Sequence, residues 1–278
     1  TVTVTDDELP MITCPPAITA TADSTTCSAI VTWATPQPTD NCGVDTLFST
    51  DSSGTVFPVG VDSVTYFVTD IHGNIDSCTF TITVDAPAFS IALSSSIYNC
   101  GHGVSCNGAT DGDVDVALSG GCEPYSISWS TGDTTLGVDS LGAGTYVVTV
   151  SDGNGTTLVD SITLTEPDPL VLSTTSDSLV CFGDSTGAID LTVTGGNDCQ
   201  GYSYAWSNGD TTEDLSGLAP GPYTVTVTDA SGCTAITSVQ IISLPVPVVD
   251  LGNDTIVCDF LALTLDAGSG FIDYSWNT

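Results

Sequence analysis

Residues 106–155 read CNGATDGDVDVALSGGCEPYSISWSTGDTTLGVDSLGAGTYVVTVSDGNG, and residues 181–232 read CFGDSTGAIDLTVTGGNDCQGYSYAWSNGDTTEDLSGLAPGPYTVTVTDASG. The same marks recur in the same order: C-x-G, a Gly-Gly pair, Tyr-Ser-x-x-Trp-Ser, G-D-T-T, and L-x-x-G-x-Y-x-V-x-V-x-D-x-x-G. This is an internal repeat, so each copy is one structural unit. Within each copy apolar and polar residues alternate, as in Thr145-Tyr146-Val147-Val148-Thr149-Val150 and Tyr223-Thr224-Val225-Thr226-Val227. A period of two is that of a half-buried strand. Gly, Asn and Asp break the runs roughly every 8 to 12 residues, the rhythm of a sandwich or barrel. Trp129, Trp206, Tyr146 and Tyr223 read as core residues; the functional alternative is a sugar-stacking platform.

The same period extends outward to Ala29-Ile30-Val31-Thr32-Trp33 and Val64-Thr65-Tyr66-Phe67-Val68, and no segment has a helical period. Pro-containing junctions stand at Asp85-Ala86-Pro87, Glu166-Pro167-Asp168-Pro169 and Leu244-Pro245-Val246-Pro247, about 80 residues apart. The expectation is an all-β chain of tandem sandwich modules in an elongated array. The boundaries read as 1–7, the last strand of a preceding module; 8–86; 87–168; 169–246; and 247–278, the start of a further module. The opening TVTVTD resembles the strand TFTITVD at 79–85, which is why it reads as a closing strand.

Among 278 residues there is no Lys or Arg, against 30 Asp and 4 Glu, for a net charge of −34. An ordinary domain carries charges of both signs on about a quarter of its residues. Each carboxylate must therefore be met by water, backbone N–H, hydroxyls or a metal ion. Nothing neutralises phosphates, so nucleic acid is excluded as a partner and anionic lipid is disfavoured. Proteases that require Lys or Arg find no site. No signal peptide or apolar run of membrane-spanning length is visible, so direct membrane insertion of this segment is not expected.

The repeat pattern, over about residues 88–245, resembles SprB-type repeats of giant surface adhesins of gliding Bacteroidetes. Residues 8–86 resemble the HYR (hyalin repeat) domain, an immunoglobulin-like sandwich. The carrying residues are Ile12-Thr13-Cys14-Pro15, Cys27 with Val31 and Trp33, Pro38 with Asp40-Asn41-Cys42-Gly43-Val44, Phe57-Pro58-Val59-Gly60, Val64-Thr65-Tyr66, Thr69-Asp70, Gly73-Asn74 and Cys78-Thr79-Phe80. From Val248, Asp250-Leu251-Gly252-Asn253-Asp254-Thr255 with Leu263-Thr264-Leu265-Asp266 resembles the start of a PKD-like module. These resemblances imply an extracellular or cell-surface protein, a sandwich fold throughout, and export by the type IX pathway.

Eleven Cys in a loop-rich β chain point to disulfides and an oxidising compartment. In the first module the favoured pairs are Cys14–Cys42 and Cys27–Cys78, since Cys14 and Cys42 should open strands at one end of a sandwich. The SprB resemblance implies Cys181–Cys233, although Thr156 stands where the first repeat would need its Cys. An alternative that fits both repeats is Cys106–Cys122 with Cys181–Cys199. Cys258 is expected to pair beyond residue 278. Cys100, His102, Cys106 and Cys122 also offer a zinc reading, with disulfides as its competitor.

Asp prevails over Glu, and Asp serves both turns and calcium. The calcium candidates are Asp111, Asp113 and Asp115, which alternate like ligands but lack the bidentate Glu of an EF-hand, and the hairpin-turn residues Asp152 and Asp229. Asp6, Asp7 and Glu8 cluster at a junction that calcium would stiffen. Asp-Ser/Thr followed by Ala, Ile, Leu, Val, Met or Thr occurs ten times, where average composition gives roughly four. This resembles the O-glycosylation signal of Bacteroidetes at Ser24, Thr46, Ser63, Ser140, Ser161, Ser178, Ser185 and Thr255, and Asp-Thr strand-entry chemistry is the competing explanation. No HExxH or phosphate loop is present, and His72 and His102 are the only histidines. The chain reads as a structural or adhesive stalk, not an enzyme. Its expected partners are neighbouring modules or copies, and surface glycans or other cells. The alternatives are a glycan- or protein-binding module and an accessory domain of a secreted hydrolase.

Overall fold

The computed structural model describes residues 5–177 and 184–243. The expected strand at the start of the chain, the module at 247–278, Cys181, Ser178, Thr255 and Cys258 fall wholly or largely outside those residues. The described chain is all-β, with one 3-10 turn at Asn99–Gly101, and no helix in it is long and apolar enough to cross a membrane. It divides into two compact units that meet in sequence between Asp168 and Pro169.

The first unit opens with a sandwich of β1 (Ile18–Thr21), β2 (Ser28–Val31), β3 (Val44–Ser49), β4 (Thr55–Pro58), β5 (Gly60–Asp70) and β6 (Ile75–Asp85). One sheet runs β1-β6-β5-β3 and the other pairs β2 with β4. Alternation places Val64, Tyr66 and Val68 of β5 and Phe80, Ile82 and Val84 of β6 in the interior, where Val31 and Phe57 of the second sheet meet Val64, Tyr66, Phe80, Ile82 and Val84. Trp33 packs edge-on against Phe80 at 5.4 Å, and its Nε1 donates to the Tyr66 hydroxyl at 2.9 Å.

The rest of this unit is a second sandwich: β7 (Ser90–Ser95), β8 (Gly112–Ser119), β9 (Ser126–Trp129), β10 (Gly137–Leu141), β11 (Gly144–Ser151) and β12 (Thr157–Leu164), in sheets β10-β8-β7 and β12-β11-β9. The second unit repeats this plan with β13 (Val171–Asp177), β14 (Gly187–Thr194), β15 (Ser203–Trp206), β16 (Leu215–Leu218), β17 (Gly221–Thr228) and β18 (Thr234–Ile241), in sheets β13-β14-β16 and β15-β17-β18. The repeated Trp residues are buried, and their Nε1 atoms donate to Thr135 O and Thr212 O at 2.9 Å. Tyr146 and Tyr223 pack against the same cores, with hydroxyls on Gly142 O and Ala219 O. The two Trp rings are structural, which rules out the sugar-platform alternative for them, while the two Tyr rings are half-buried against those cores.

The disulfides depart from expectation. Cys14 bonds Cys78 and Cys27 bonds Cys122, with Cα–Cα distances of 5.6 and 5.2 Å, while Cys42 is free and exposed. The pairs Cys14–Cys42, Cys27–Cys78 and Cys106–Cys122 are therefore corrected. The reason lies in the one parallel pairing among the described residues: β1 runs alongside β6 with Ile18 opposite Ile82. Cys14 stands four residues before Ile18 and Cys78 four before Ile82, so this register brings them together. Cys27 sits in the turn before β2 with φ of 52°, and the same turn receives a hydrogen bond from Glu123 N on Ser24 O at 2.8 Å. That bond and the Cys27–Cys122 disulfide tie the first sandwich to the second. Cys100, Cys106, Cys199 and Cys233 are also disulfide-bonded. With Cys100, Cys106 and Cys122 all oxidised, no thiolate is left there for zinc, which overturns that reading.

Candidate functional site

A chain without Lys or Arg must settle its carboxylates by other means, and the structure shows how. Each module buries one Asp at the same place, the end of a long strand before a hairpin turn: Asp70, Asp152 and Asp229 are 1%, 6% and 6% exposed. One oxygen of each accepts the backbone N–H groups two and four residues on, namely His72 and Asn74, Asn154 and Thr156, Ser231 and Cys233. The other oxygen takes Asn74 Nδ2, Cys122 N or Asn197 N. In the two repeats this last donor follows the Gly-Gly turn. A Cβ on Gly196, at φ of 65°, would lie 2.8 Å from Asp229 Oδ2, so only glycine lets the backbone close onto the carboxylate. Asp152 and Asp229 thus organise turns, the competing role the sequence offered them.

The remaining calcium candidates lie apart from any convergence. Asp111 Oδ1 accepts Ser105 N at 3.0 Å, and the hydroxyl and N–H of Ser105 hold its carboxyl below the usual range. Asp113 and Asp115 line a shallow hollow of about 250 Å³ with Gly137, Val138 and Asp139. Among the described residues, three ligand atoms come within 4.8 Å of one another in two overlapping sets: Asp6, Asp40 and Asp70, and Asp6, Cys42 and His72.

This cluster draws on three segments: the stretch before the first sandwich, the turn before β3, and the β5–β6 turn. Asp40 Oδ2 accepts Cys42 N and Gly43 N at 2.8 and 2.7 Å, the Asx turn that Asp-Asn-Cys-Gly favours. Asn74 Nδ2 donates to Asp6 O, and Asn41 Nδ2 to Glu8 Oε2, which stitches the entering segment to both turns. Asp6 Oδ1 accepts Glu8 N. Asp6 Oδ2 lies 3.2 Å from His72 Nδ1, an ion pair only when the imidazole is protonated. It accepts no N–H or O–H hydrogen bond, nor does Asp40 Oδ1, and both are shut off from solvent. Burial alone would raise the Asp70 carboxyl, yet the Asn74 side chain and the backbone of residues 72–74 outweigh it and hold the group low. The Cys42 thiol is pushed up to about 11 by a hydrogen bond to Asp6, by burial, and by the charges of Asp6, Asp40 and Asp70. Sequence reading found Asp6 but not Asp40 or Asp70, whose signal was their place in two Gly-terminated turns.

Of the glycan candidates, Thr46, Ser63, Ser140, Ser161 and Ser185 are exposed and Ser24 is half-buried.

Comparison with known proteins adds the family frame. The HYR domain profile matches residues 5–84, and the SprB repeat profile matches residues 104–134 and 173–211. A rat protein, "Sushi, von Willebrand factor type A, EGF and pentraxin domain-containing protein 1", is 40% identical over 82 residues, covering 28% of this chain and 2% of its own length. "Hyalin" of Strongylocentrotus purpuratus is 29% identical over 162 residues, 58% of this chain and 12% of hyalin. The chain thus spans a small fraction of these relatives. Among solved structures, the N-terminal eight Ig domains of Down Syndrome Cell Adhesion Molecule align over 86% of this chain and 37% of that one, at 13% identity and a TM-score of 0.39.

Proposed function

We propose that this chain is a stalk segment of a secreted or cell-surface bacterial adhesin or filament, with a structural and adhesive role. HYR domains and SprB repeats are adhesion-type modules rather than enzymatic ones, and disulfides fit an oxidising exterior. The observation that carries the reading is the covalent staple between modules. Cys27–Cys122 spans 95 residues and ties the first sandwich to the second, so a pull on the chain loads a cross-link rather than a bare linker. Its partners are neighbouring modules of the same long chain, and the exposed Asp-Ser/Thr positions are its candidate glycan acceptors. Export by the type IX pathway belongs to this reading.

A force spectrometer tests it. Stretched between handles without reductant, residues 27–122 stay closed while the rest of their unit extends; with reductant the same event lengthens. Unfolding at negligible force in both conditions would rule out a load-bearing stalk. One observation favours a glycan- or protein-binding module instead: Phe48 and Phe67 stack at 5.0 Å on β3 and β5, and Phe48 is 57% exposed. Saturable sugar binding lost in Phe48→Ala would move the assignment there.

A further inference from the structure

We infer that Asp6, Asp40 and Asp70 form a site for a hard divalent cation, Ca²⁺, that clips the segment entering the first sandwich onto its end. Their ligand atoms lie within 4.8 Å of one another. Three carboxylates so close repel one another, and with no Lys or Arg in the chain the cluster's sole basic side chain is His72.

The second observation is the state of the oxygens. The Asp6 side chain is only 9% exposed, with Oδ2 turned toward the cluster at 3.2 Å from His72 Nδ1. Asp6 Oδ2 and Asp40 Oδ1 are buried without an N–H or O–H donor, an arrangement that costs free energy unless something replaces the lost water. Meanwhile the opposite oxygen of each residue is fixed by backbone N–H groups. The Asp6 and Asp40 carboxylates are thus held in place from behind while their inward oxygens lack such a donor, and Asp70 is fixed beside them with both oxygens on donors of the 72–74 turn. A cation supplies the missing partner and relieves the repulsion in one step. Carboxylate oxygens on turns, completed by water at the exposed rim, suit Ca²⁺.

The overlapping set of Asp6, Cys42 and His72 offers a softer site, for zinc. It takes Cys42 Sγ and a His72 ring nitrogen in place of the Asp40 and Asp70 oxygens. The two readings separate by residue: Ca²⁺ depends on Asp40 and Asp70, zinc on Cys42 and His72.

The experiment is calorimetric titration of the 278-residue chain, freed of metal, with CaCl₂ and separately with ZnCl₂, alongside hydrogen exchange. We expect a saturable Ca²⁺ site that weakens at least tenfold in Asp6→Asn and in Asp40→Asn and is unchanged in Cys42→Ser. Ca²⁺ should also slow amide exchange in residues 5–9 and 70–74 of the unsubstituted chain, a readout that does not require any variant to fold. Ca²⁺ binding that survives both Asn variants, no Ca²⁺ binding, or zinc binding that Cys42→Ser abolishes and Asp40→Asn spares would overturn the inference. None of these outcomes bears on the load-bearing role, which the stretching experiment decides separately.

Discussion

At the scale of single residues, the recurrent device is a carboxylate that closes a turn. Asp229 satisfies three backbone N–H groups from two loops while 6% exposed. Asp229→Ala strands those donors in a buried place, and the loss should be about 3 kcal/mol by denaturant unfolding; Asp152→Ala should behave alike. A loss below about 0.5 kcal/mol would mean that water takes over. Cys42 gives a prediction in pH. Its exposed thiol ionises near 11, so the protonated, unreactive form prevails at neutral pH. Alkylation of Cys42 by iodoacetamide, read by mass spectrometry, should be slower at pH 8 than that of an unperturbed thiol, whose pKa is about 8.5. It should accelerate as pH climbs to about 11. Equal rates at pH 8 would contradict the carboxylate cage.

At the scale of elements, strands were legible because their cause is local. Val64, Tyr66 and Val68 alternate with polar residues in the sequence, and they alternate between core and surface in β5. The repeated Tyr-Ser-x-x-Trp likewise marked β9 and β15. The disulfides were not legible, because pairing depends on which strands become neighbours. Spacing made Cys14 and Cys42 look like partners at one end. The parallel β1–β6 register, a contact across 64 residues, chose Cys78 instead. The inter-module bond gives a test at this scale. Replacing Cys27 and Cys122 by Ser removes the constraint on a long loop, worth about 4 kcal/mol in the chain-entropy account. The melting temperature of the first unit should fall while that of residues 169–243 stays put, as followed by Trp129 and Trp206 fluorescence in single-Trp backgrounds. An unchanged first transition would show that the interface between the two sandwiches already supplies the constraint.

For the whole molecule, charge dominates. A net charge of −34 repels itself, so stability should rise with NaCl up to about 0.15 M, where the screening length is about 8 Å; a salt-independent melting curve would mean that the carboxylates are neutralised locally. Trypsin should leave the reduced, denatured chain as an intact 28.3 kDa species that chymotrypsin cuts readily. That last outcome, like the all-β class and the tandem repeat, follows from the sequence by itself, because composition and short-range periodicity suffice for each. What only the tertiary structure decided is every relation between distant residues. It assigned Cys27 to Cys122 across two modules, and it gave Asp152 and Asp229 to turns. It also gathered Asp6, Asp40 and Asp70 from three segments into one carboxylate cluster. Such contacts are set by strand register and by how loops meet at the end of a sandwich, and neither leaves a mark at fixed spacing along the chain.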